Sequence, residues 1–331
     1  MLCRLILFPL CDIVLLHSKT SLRCIMDYIK VSQAAEKWGI SPRRVRILCQ
    51  ENRISGVIRK GNLYMIPVDA PKPVDGRTLK GKAIPSEFSE LFLNIDAKKA
   101  ELERRRPLTT GESQRLRDEF MVEFTYNSNA IEGNTLTLKE TAMVLEGITI
   151  DQKPLKDHLE AVGQRDAFLY IEDIAKKQTA INETVIKNIH SLVLVDRPED
   201  KGVYRGIPVK IMGAYTDPVQ PYLIEPQMRV LISENEKRKK TIHPIERIAR
   251  FHLEFEGIHP FVDGNGRTGR LVMNLDLIRS GYPAIDIKFT DRKEYYNAFD
   301  LYYKDNDAGA MIKLIAGYLN ERLEKYLIIL Q

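Results

Sequence analysis

A glycine-rich stretch in the second half of the chain constrains its fold and function most strongly. Residues 259–270 read HPFVDGNGRTGR. Apolar residues recur at helical spacing before and after this stretch, so it predicts a turn between two helices that opens the second one. A helix start offers free backbone N–H groups and a partial positive charge, and glycines let an anion approach that backbone. The stretch therefore predicts an anion-binding turn.

The side chains of this turn indicate which chemistry it supports. Arg267 and Arg270 lie three residues apart, so they face one side of the helix and can fork onto phosphate oxygens. Asp263 would repel phosphate unless a cation lay between them, which makes it a candidate Mg²⁺ ligand. His259 could take a proton from a nucleophile that attacks the phosphate. Spacing alone does not say which phosphate is attacked, and a plain helix–turn–helix junction is the alternative.

The same run resembles the signature of the Fic family, H-x-F-x-[D/E]-G-N-G-R-x-x-R, at every defining position. The resemblance implies a mainly α protein, with an all-α Fic domain that transfers AMP from ATP to a Ser, Thr or Tyr hydroxyl of a target protein. It implies His259 as the general base and Asp263 as the ligand of Mg²⁺. Related Doc-type kinases carry lysine where Gly266 stands, so the intact glycine favours AMP transfer. The implied ATP-binding residues are Asp263, Gly264, Asn265, Gly266, Arg267, Thr268, Gly269, Arg270 and Tyr295.

A second motif resembles the inhibitory segment of Fic proteins. Helical periodicity runs to Ser128, and Gly133 is a natural residue just past a helix end. Ser128-x-x-x-Glu132-Gly133 resembles [S/T]-x-x-x-E-[G/N], whose glutamate pairs with the second arginine of the signature, here Arg270. A carboxylate there competes with phosphate for the same donors. The resemblance implies self-inhibition through an N-terminal inhibitory helix; without it, Glu132 reads as a surface carboxylate. Removal of AMP from modified proteins is an alternative main activity.

Residues 202–213 alternate in polarity and carry turn residues, which predicts a β-hairpin inside the helical domain. This segment resembles the Fic flap, which lies over the active site and holds the target by strand pairing. The target-docking candidates in it are Val209, Lys210, Ile211 and Met212. Beyond the signature, Tyr295 matches a position that contacts the nucleotide base in relatives. About two turns later, where a polar partner would be expected, the chain carries a tyrosine, Tyr303.

Residues 26–70 predict a small winged helix–turn–helix: two helices with a tight turn between them, then two short β-prone runs. Residues 26–82 hold twelve Lys/Arg against five Asp/Glu, a balance of +7 that exceeds the +5 of the whole chain. Such clustering suits contact with a phosphate backbone. The segment resembles excisionase or MerR-type winged helices; a protein-docking module of the same shape is the alternative. The candidate DNA contacts are Arg43, Arg44, Arg46 and Arg59.

The other boundaries follow from composition. Residues 71–83 are rich in proline and glycine without periodicity and predict a linker. The Fic domain is expected over residues 84–331, with its resemblance covering roughly 84–325. Met26 is interpreted as the natural start, which makes residues 1–25 an upstream non-native extension. A disordered arm is the alternative for these residues, and a signal peptide is disfavoured because no small-residue cleavage site follows.

Several classes of protein are disfavoured by what the chain holds. Its four cysteines, Cys3, Cys11, Cys24 and Cys49, lack zinc-like spacing and form no disulfide framework, so a cytoplasmic protein is expected. Its apolar runs near the start are too short to span a bilayer, so no membrane partner is expected.

The remaining histidines suggest structure more than catalysis. His158 and His190 are interpreted as structural or surface residues and His252 as a core residue. A catalytic metal held by histidines is a weak alternative because H-E-x-x-H is absent. Two partner hypotheses stay open: homo-oligomerisation, which is common among Fic relatives, and a DNA-binding regulator whose Fic domain only senses nucleotide.

Overall fold

The computed structural model describes residues 28–50, 54, 57–61, 63–68, 70, 72, 86–105, 107–211 and 217–330. The chain divides into two compact units at residues 79 and 80. The predicted extension at residues 1–25 lies outside the described residues, as does the predicted linker apart from residue 72. The two units are taken in turn below.

The first unit holds two short helices and a small antiparallel sheet. Its elements are β1 (Tyr28–Lys30), α1 (Val31–Trp38), α2 (Pro42–Gln50), β2 (Ile58–Lys60) and β3 (Leu63–Pro67). Gly39 has a φ of 63°, which allows the tight turn after α1. The strand order is β1-β3-β2. Strand β1, which comes before α1, therefore pairs with β3 and joins the β2–β3 hairpin as a third strand. A core that includes Trp38, Val45 and Ile66 joins the helices to the sheet.

The second unit is mainly helical in its described residues, and the mainly α prediction is confirmed. Ten α-helices lie in them: α3 (Ser89–Arg104), α4 (Thr110–Ile131), α5 (Leu138–Leu145), α6 (Leu155–Lys176), α7 (Glu183–Val193), α8 (Pro221–Arg238), α9 (Pro244–Ile258), α10 (Asn265–Arg279), α11 (Arg292–Asp305) and α12 (Gly309–Ile329). Helix starts are set locally: Thr109 with Glu112, and Thr137 with Glu140, form capping boxes before α4 and α5. None of the helices in the described residues has the length and apolarity that a bilayer span requires.

Helix α10 lies at the centre of this unit, because two hydrophobic clusters meet on it. One cluster joins its Leu271 and Leu275 to Phe255 of α9 and to α4 and α6–α8. The other joins its Met273 and Leu277 to α3, α9, α11 and α12. Every residue from 267 to 277 is buried. The N-terminus of α10, which carries the glycine-rich turn, is therefore held rigidly by its own helix.

The predicted β-hairpin of the flap is not formed by residues 203–211, which the structure describes as irregular. Side-chain bonds take the place of a strand ladder here. Arg205 donates from its guanidinium to the carbonyls of His259 (2.8 Å) and Val219 (2.6 Å), and its backbone N–H donates to Pro260 O at 3.0 Å. Alternating polarity cannot distinguish a strand from an extended segment that is anchored this way. Met212 lies outside the described residues.

Candidate active site

The backbone of the glycine-rich turn is fixed by two left-handed residues and a side-chain clamp. His259 ends α9 with φ 50° and ψ 61°, and Gly264 precedes α10 with φ 74°. A non-glycine residue with positive φ is uncommon and is found where surroundings enforce it. Here Asn265 accepts from Phe261 N–H and donates to Phe261 O, both at 2.9 Å. The turn is therefore shaped before any ligand arrives.

His190 supports this turn from α7. Its ring stacks on Phe261 with centroids 3.7 Å apart, and Gly202 N–H donates to its Nδ1 at 2.9 Å. Since Nδ1 accepts, Nε2 carries the hydrogen and donates to Asp263 O at 2.9 Å. Burial lowers the pKa of His190 to about 4, so the ring is neutral near pH 7. The structural interpretation of His190 fits, but no sequence pattern indicated that it holds the backbone of Asp263.

Asp263 and Arg267 form the outer part of the site. Asp263 Oδ1 accepts from Gly264 N–H at 2.6 Å and lies 3.4 Å from Arg267 Nη2. Burial raises the pKa of Asp263, but Arg267, the Gly264 N–H and Lys156 outweigh it and hold that pKa below its usual value. Arg267 is itself buried, and its Nη1 lies 3.0 Å from Glu160 Oε1. The site thus presents an ionised carboxylate that is 36% exposed.

This carboxylate fits Mg²⁺, which proteins usually bind through one or two carboxylates together with substrate phosphates. The described residues contain no group of three or more His, Cys, Asp or Glu side chains that could hold a metal ion. The side chains of the described residues therefore do not supply a complete set of metal ligands, and phosphates would have to complete the coordination. The histidine-ligated alternative has no such cluster among those residues.

Arg270 lies under the turn, held by the end of α4. Its Nη2 donates to Glu132 Oε1 and to Ser128 O, both at 2.7 Å, and its Nε donates to Ser128 Oγ at 3.1 Å. Gln164 of α6 donates to the same hydroxyl at 3.1 Å. The structure thus brings Ser128, Glu132 and Arg270 together across 138 residues of sequence.

Glu132 lies directly on the glycine-rich turn. A Cβ built at Gly266 would be 2.2 Å from Glu132 Oε1, so only glycine leaves room for this carboxylate. The N-terminus of α10 and the guanidinium of Arg270 both favour negative charge at that point. Glu132 therefore occupies a place that suits a phosphate group.

His259 is at the rim of the site. Burial, and next Arg205, lower the pKa of His259 to about 4, although the Glu256 carbonyl, Glu132 and Asp263 oppose the shift. The imidazole is therefore neutral near pH 7, as a base must be.

Tyr295, the predicted contact of the nucleotide base, is buried in this structure. It is 1% exposed, and its hydroxyl lies 2.7 Å from His252 Nε2 and 3.5 Å from Arg270 Nη1. Burial lowers the pKa of His252 to about 3, which agrees with a neutral core histidine. The neighbouring Tyr296 is 42% exposed. Sequence spacing alone could not predict which of these two adjacent tyrosines is buried and which is exposed.

Both the sequence and the fold of this chain are similar to those of known proteins. Residues 180–277 match the Fic/DOC family. Over 303 residues the chain is 32% identical to protein adenylyltransferase Fic of Nematostella vectensis, covering 87% of this chain and 69% of that protein. It is 34% identical over 209 residues to protein adenylyltransferase fic-1 of Caenorhabditis elegans, covering 62% of this chain and 41% of that protein.

Two solved structures share the fold. Fic-1 from C. elegans superimposes with a TM-score of 0.65 at 28% identity, over 72% of each chain. A signalling protein that contains a Fic domain, from Bacteroides thetaiotaomicron, superimposes with a TM-score of 0.62 at 28% identity, over 72% of this chain and 95% of that one. Because the chain carries the complete signature and is 32% identical to a relative of which it covers 69%, it belongs to the Fic/DOC family.

Proposed function

We propose that this protein transfers AMP from ATP to a hydroxyl side chain of a target protein, and that Glu132 restrains the reaction. The observation that carries the proposal is the arrangement of His259, Asp263 and Arg270 around the N-terminus of α10. Its relatives from N. vectensis and C. elegans are named protein adenylyltransferases. The chain spans 69% of the first and 41% of the second, so their activity is transferred to it as a proposal.

The reaction assigns one role to each group. His259 Nε2 takes the proton of the target hydroxyl, and the hydroxyl oxygen attacks the α-phosphorus of ATP. The bond from that phosphorus to the bridging oxygen breaks, and pyrophosphate leaves with the electron pair. The N–H groups at the start of α10 and the guanidinium of Arg270 bind phosphate oxygens. Asp263 would hold Mg²⁺, which when bound neutralises phosphate charge. Target docking on Val209, Lys210 and Ile211 remains part of the proposal.

Glu132 would restrain the reaction by occupying the phosphate site. Its carboxylate lies on Gly266 and binds Arg270 at 2.7 Å, so a phosphate must displace it and break that ion pair. The side chain of Glu132 is 33% exposed, whereas that of Arg270 is 2% exposed. Displacement therefore moves only the more exposed partner, which makes Glu132 suited to a reversible block.

Transfer of label from ATP tests the proposal. Protein incubated with α-labelled ATP and Mg²⁺ should become labelled, more so as Glu132→Gly and not at all as Glu132→Gly with His259→Ala. Label from γ-labelled ATP would indicate phosphate transfer and contradict AMP transfer. Loss of AMP from a premodified target, dependent on Glu132, would point to AMP removal as the main activity. Equal labelling of all three variants would refute the assigned roles.

DNA binding by the first unit is a second candidate function. On α2, Val45, Leu48 and Cys49 face the core, whereas Arg43 and Arg46 are exposed and Arg44 is half-buried. On β2, Arg59 is exposed and lies 5.8 Å from the ring centre of Tyr64. A helix with outward arginines beside a basic hairpin is what a phosphate backbone requires.

A salt series on duplex DNA tests this second candidate. Replacing Arg43 and Arg46 by alanine should weaken binding and flatten the slope of log K against log salt by roughly two, if each contacts one phosphate. Lys30→Ala, an exposed change on β1, is the matched control. No binding by the parent protein at about 50 mM salt would exclude the candidate.

Cys49 is a buried free thiol, which accords with the proposed cytoplasmic location.

A further inference from the structure

A buried carboxyl group that the proposed reaction does not use lies one helical turn before His259. Glu256 Oε2 is 3.7 Å from His259 Nδ1, and the side chains are 12% and 20% exposed. Glu256 Oε1 and His259 Nδ1 are both buried, and neither has a hydrogen-bond partner among the described residues. Buried polar atoms that lack partners are costly, so one such atom on each of two neighbouring side chains needs an explanation.

The surrounding chain makes room for this carboxyl group. A Cβ built at Gly269 would be 2.4 Å from Glu256 Oε1 and 2.9 Å from the ring of His252. Gly269 fills one of the two unspecified positions between the arginines of the signature, where many side chains would be expected. Its glycine is therefore explained by the space that Glu256 occupies beneath α10.

We propose that Glu256 is a positioning residue, whose carboxylate accepts a hydrogen bond from His259 Nδ1–H and so keeps the free lone pair of the imidazole on Nε2. A neutral imidazole has one donor and one acceptor nitrogen, and the partner of one nitrogen fixes the state of the other. The inference requires the Glu256 side chain to rotate so that the 3.7 Å distance shortens to hydrogen-bond length. The inference rests on the proposed function, in which Nε2 takes the target proton.

The backbone carbonyl of Glu256 also faces His259 and raises its pKa. That carbonyl is neutral and is kept in every side-chain variant. The carboxylate adds a negative charge that can stabilise the imidazolium formed when Nε2 is protonated. A substitution that removes only the negative charge of the Glu256 side chain therefore tests the carboxylate and leaves the carbonyl unchanged.

The ionisation of Glu256 depends on its neighbours. Burial, and next the carboxylate of Glu132, raise the pKa of Glu256 to about 8, while Arg270 opposes them. Removing the Glu132 carboxylate, as in Glu132→Gly, takes away one of the two causes and favours the ionised form that positions His259. Glu132 would thus act on the base as well as on the phosphate site. The titratable and charged groups that face Glu256 are His252, His259, Glu132, Arg270, Tyr295, Tyr296 and Tyr303.

Steady-state kinetics in the Glu132→Gly background test the inference. Glu256→Gln keeps the shape of the side chain but removes its charge, so kcat should fall on the order of tenfold while KM for ATP stays within about twofold. The rise of kcat with pH should lose the ionisation that belongs to Glu256. Glu256→Asp, which restores the carboxylate on a shorter side chain, should recover part of kcat. Unchanged kcat, or a lower kcat with an unchanged pH profile, would overturn the inference.

A measurement without turnover separates this inference from the proposed function. Nitrogen NMR of the His259 ring, assigned by comparison with His259→Ala, reports which nitrogen carries the proton. At about pH 8.5 the Glu132→Gly protein should show Nδ1–H, and Glu256→Gln should shift the population toward Nε2–H. Equal spectra would overturn the positioning role even if AMP transfer is found. The expected spectra without AMP transfer would refute the proposed function alone.

Discussion

Removing the charge of Glu132 should increase the affinity of this protein for ATP. Glu132→Gln keeps the volume of the side chain and a hydrogen-bond acceptor for Arg270, but it gives up the ion pair of 2.7 Å. Losing one partner of a fully buried pair costs about 3–5 kcal/mol. Because Glu132 is 33% exposed, solvent screening reduces the strength of the block to roughly 1–2 kcal/mol. ATP no longer has to overcome that free energy.

The affinity change follows from this free energy. At 1.36 kcal/mol per factor of ten, roughly 1–2 kcal/mol corresponds to about a 5- to 30-fold lower Kd for ATP–Mg²⁺. Calorimetric titration in the His259→Ala background measures it without turnover. Glu132→Gly should gain at least as much as Glu132→Gln, because it also clears the space above Gly266. Glu146→Gln, an exposed glutamate just past α5, is the matched control. If Glu132→Gln and Glu146→Gln bind ATP equally, the carboxylate does not block the phosphate site.

Three other results follow from the geometry. Gly266→Ala in the Glu132→Gly background should weaken ATP binding about tenfold by titration, since a Cβ there lies on the anion path and 3.1 Å from Arg270 Nη1; unchanged binding would show that phosphate does not approach Gly266. Arg247→Met leaves Asp276 buried without its ion-pair partner and should lower the free energy of unfolding by about 3–5 kcal/mol in denaturant melts. Arg229→Met, at an exposed pair, should change it by less than about 1 kcal/mol. Acid should destabilise the fold between pH 6.5 and about 4, because His190, with a folded pKa near 4, stays neutral while the unfolded chain takes a proton near 6.5; His190→Gln should flatten that part of the pH–stability curve.

Much of the fold followed from local pattern. Glycine and proline breaks, capping residues and apolar periodicity predicted helices on either side of residues 259–264 and an α4 that ends before Gly133, and the structure has both. The flap was different, because alternating polarity describes any extended segment. What holds residues 203–211 is the guanidinium of Arg205, whose carbonyl partners at His259 and Val219 are distant in sequence.

The groups around the reacting residues were harder to predict for the same physical reason. Glu160, His190 and Glu256 are ordinary residues of amphipathic helices, and only packing shows that they contact Arg267, Asp263 and His259. The sequence held one sign of these contacts. The glycines at 266 and 269 lie inside a helix, where no backbone turn requires them. A Cβ at either position would meet a glutamate, Glu132 or Glu256, that reaches the first turns of α10.

Because of these two glutamates, the start of α10 is more than a simple phosphate-binding site. The helix start and Arg270 attract anions, and Glu132 satisfies that demand above the turn when no nucleotide is bound. Glu256 lies against Gly269 of the same helix, where burial, and next the carboxylate of Glu132, raise its pKa. Like charges so close together disfavour the ionisation of both at once. An incoming phosphate that displaces Glu132 brings a negative charge of its own to this helix start, so we expect the ionisation of Glu256 to depend on which anion α10 binds.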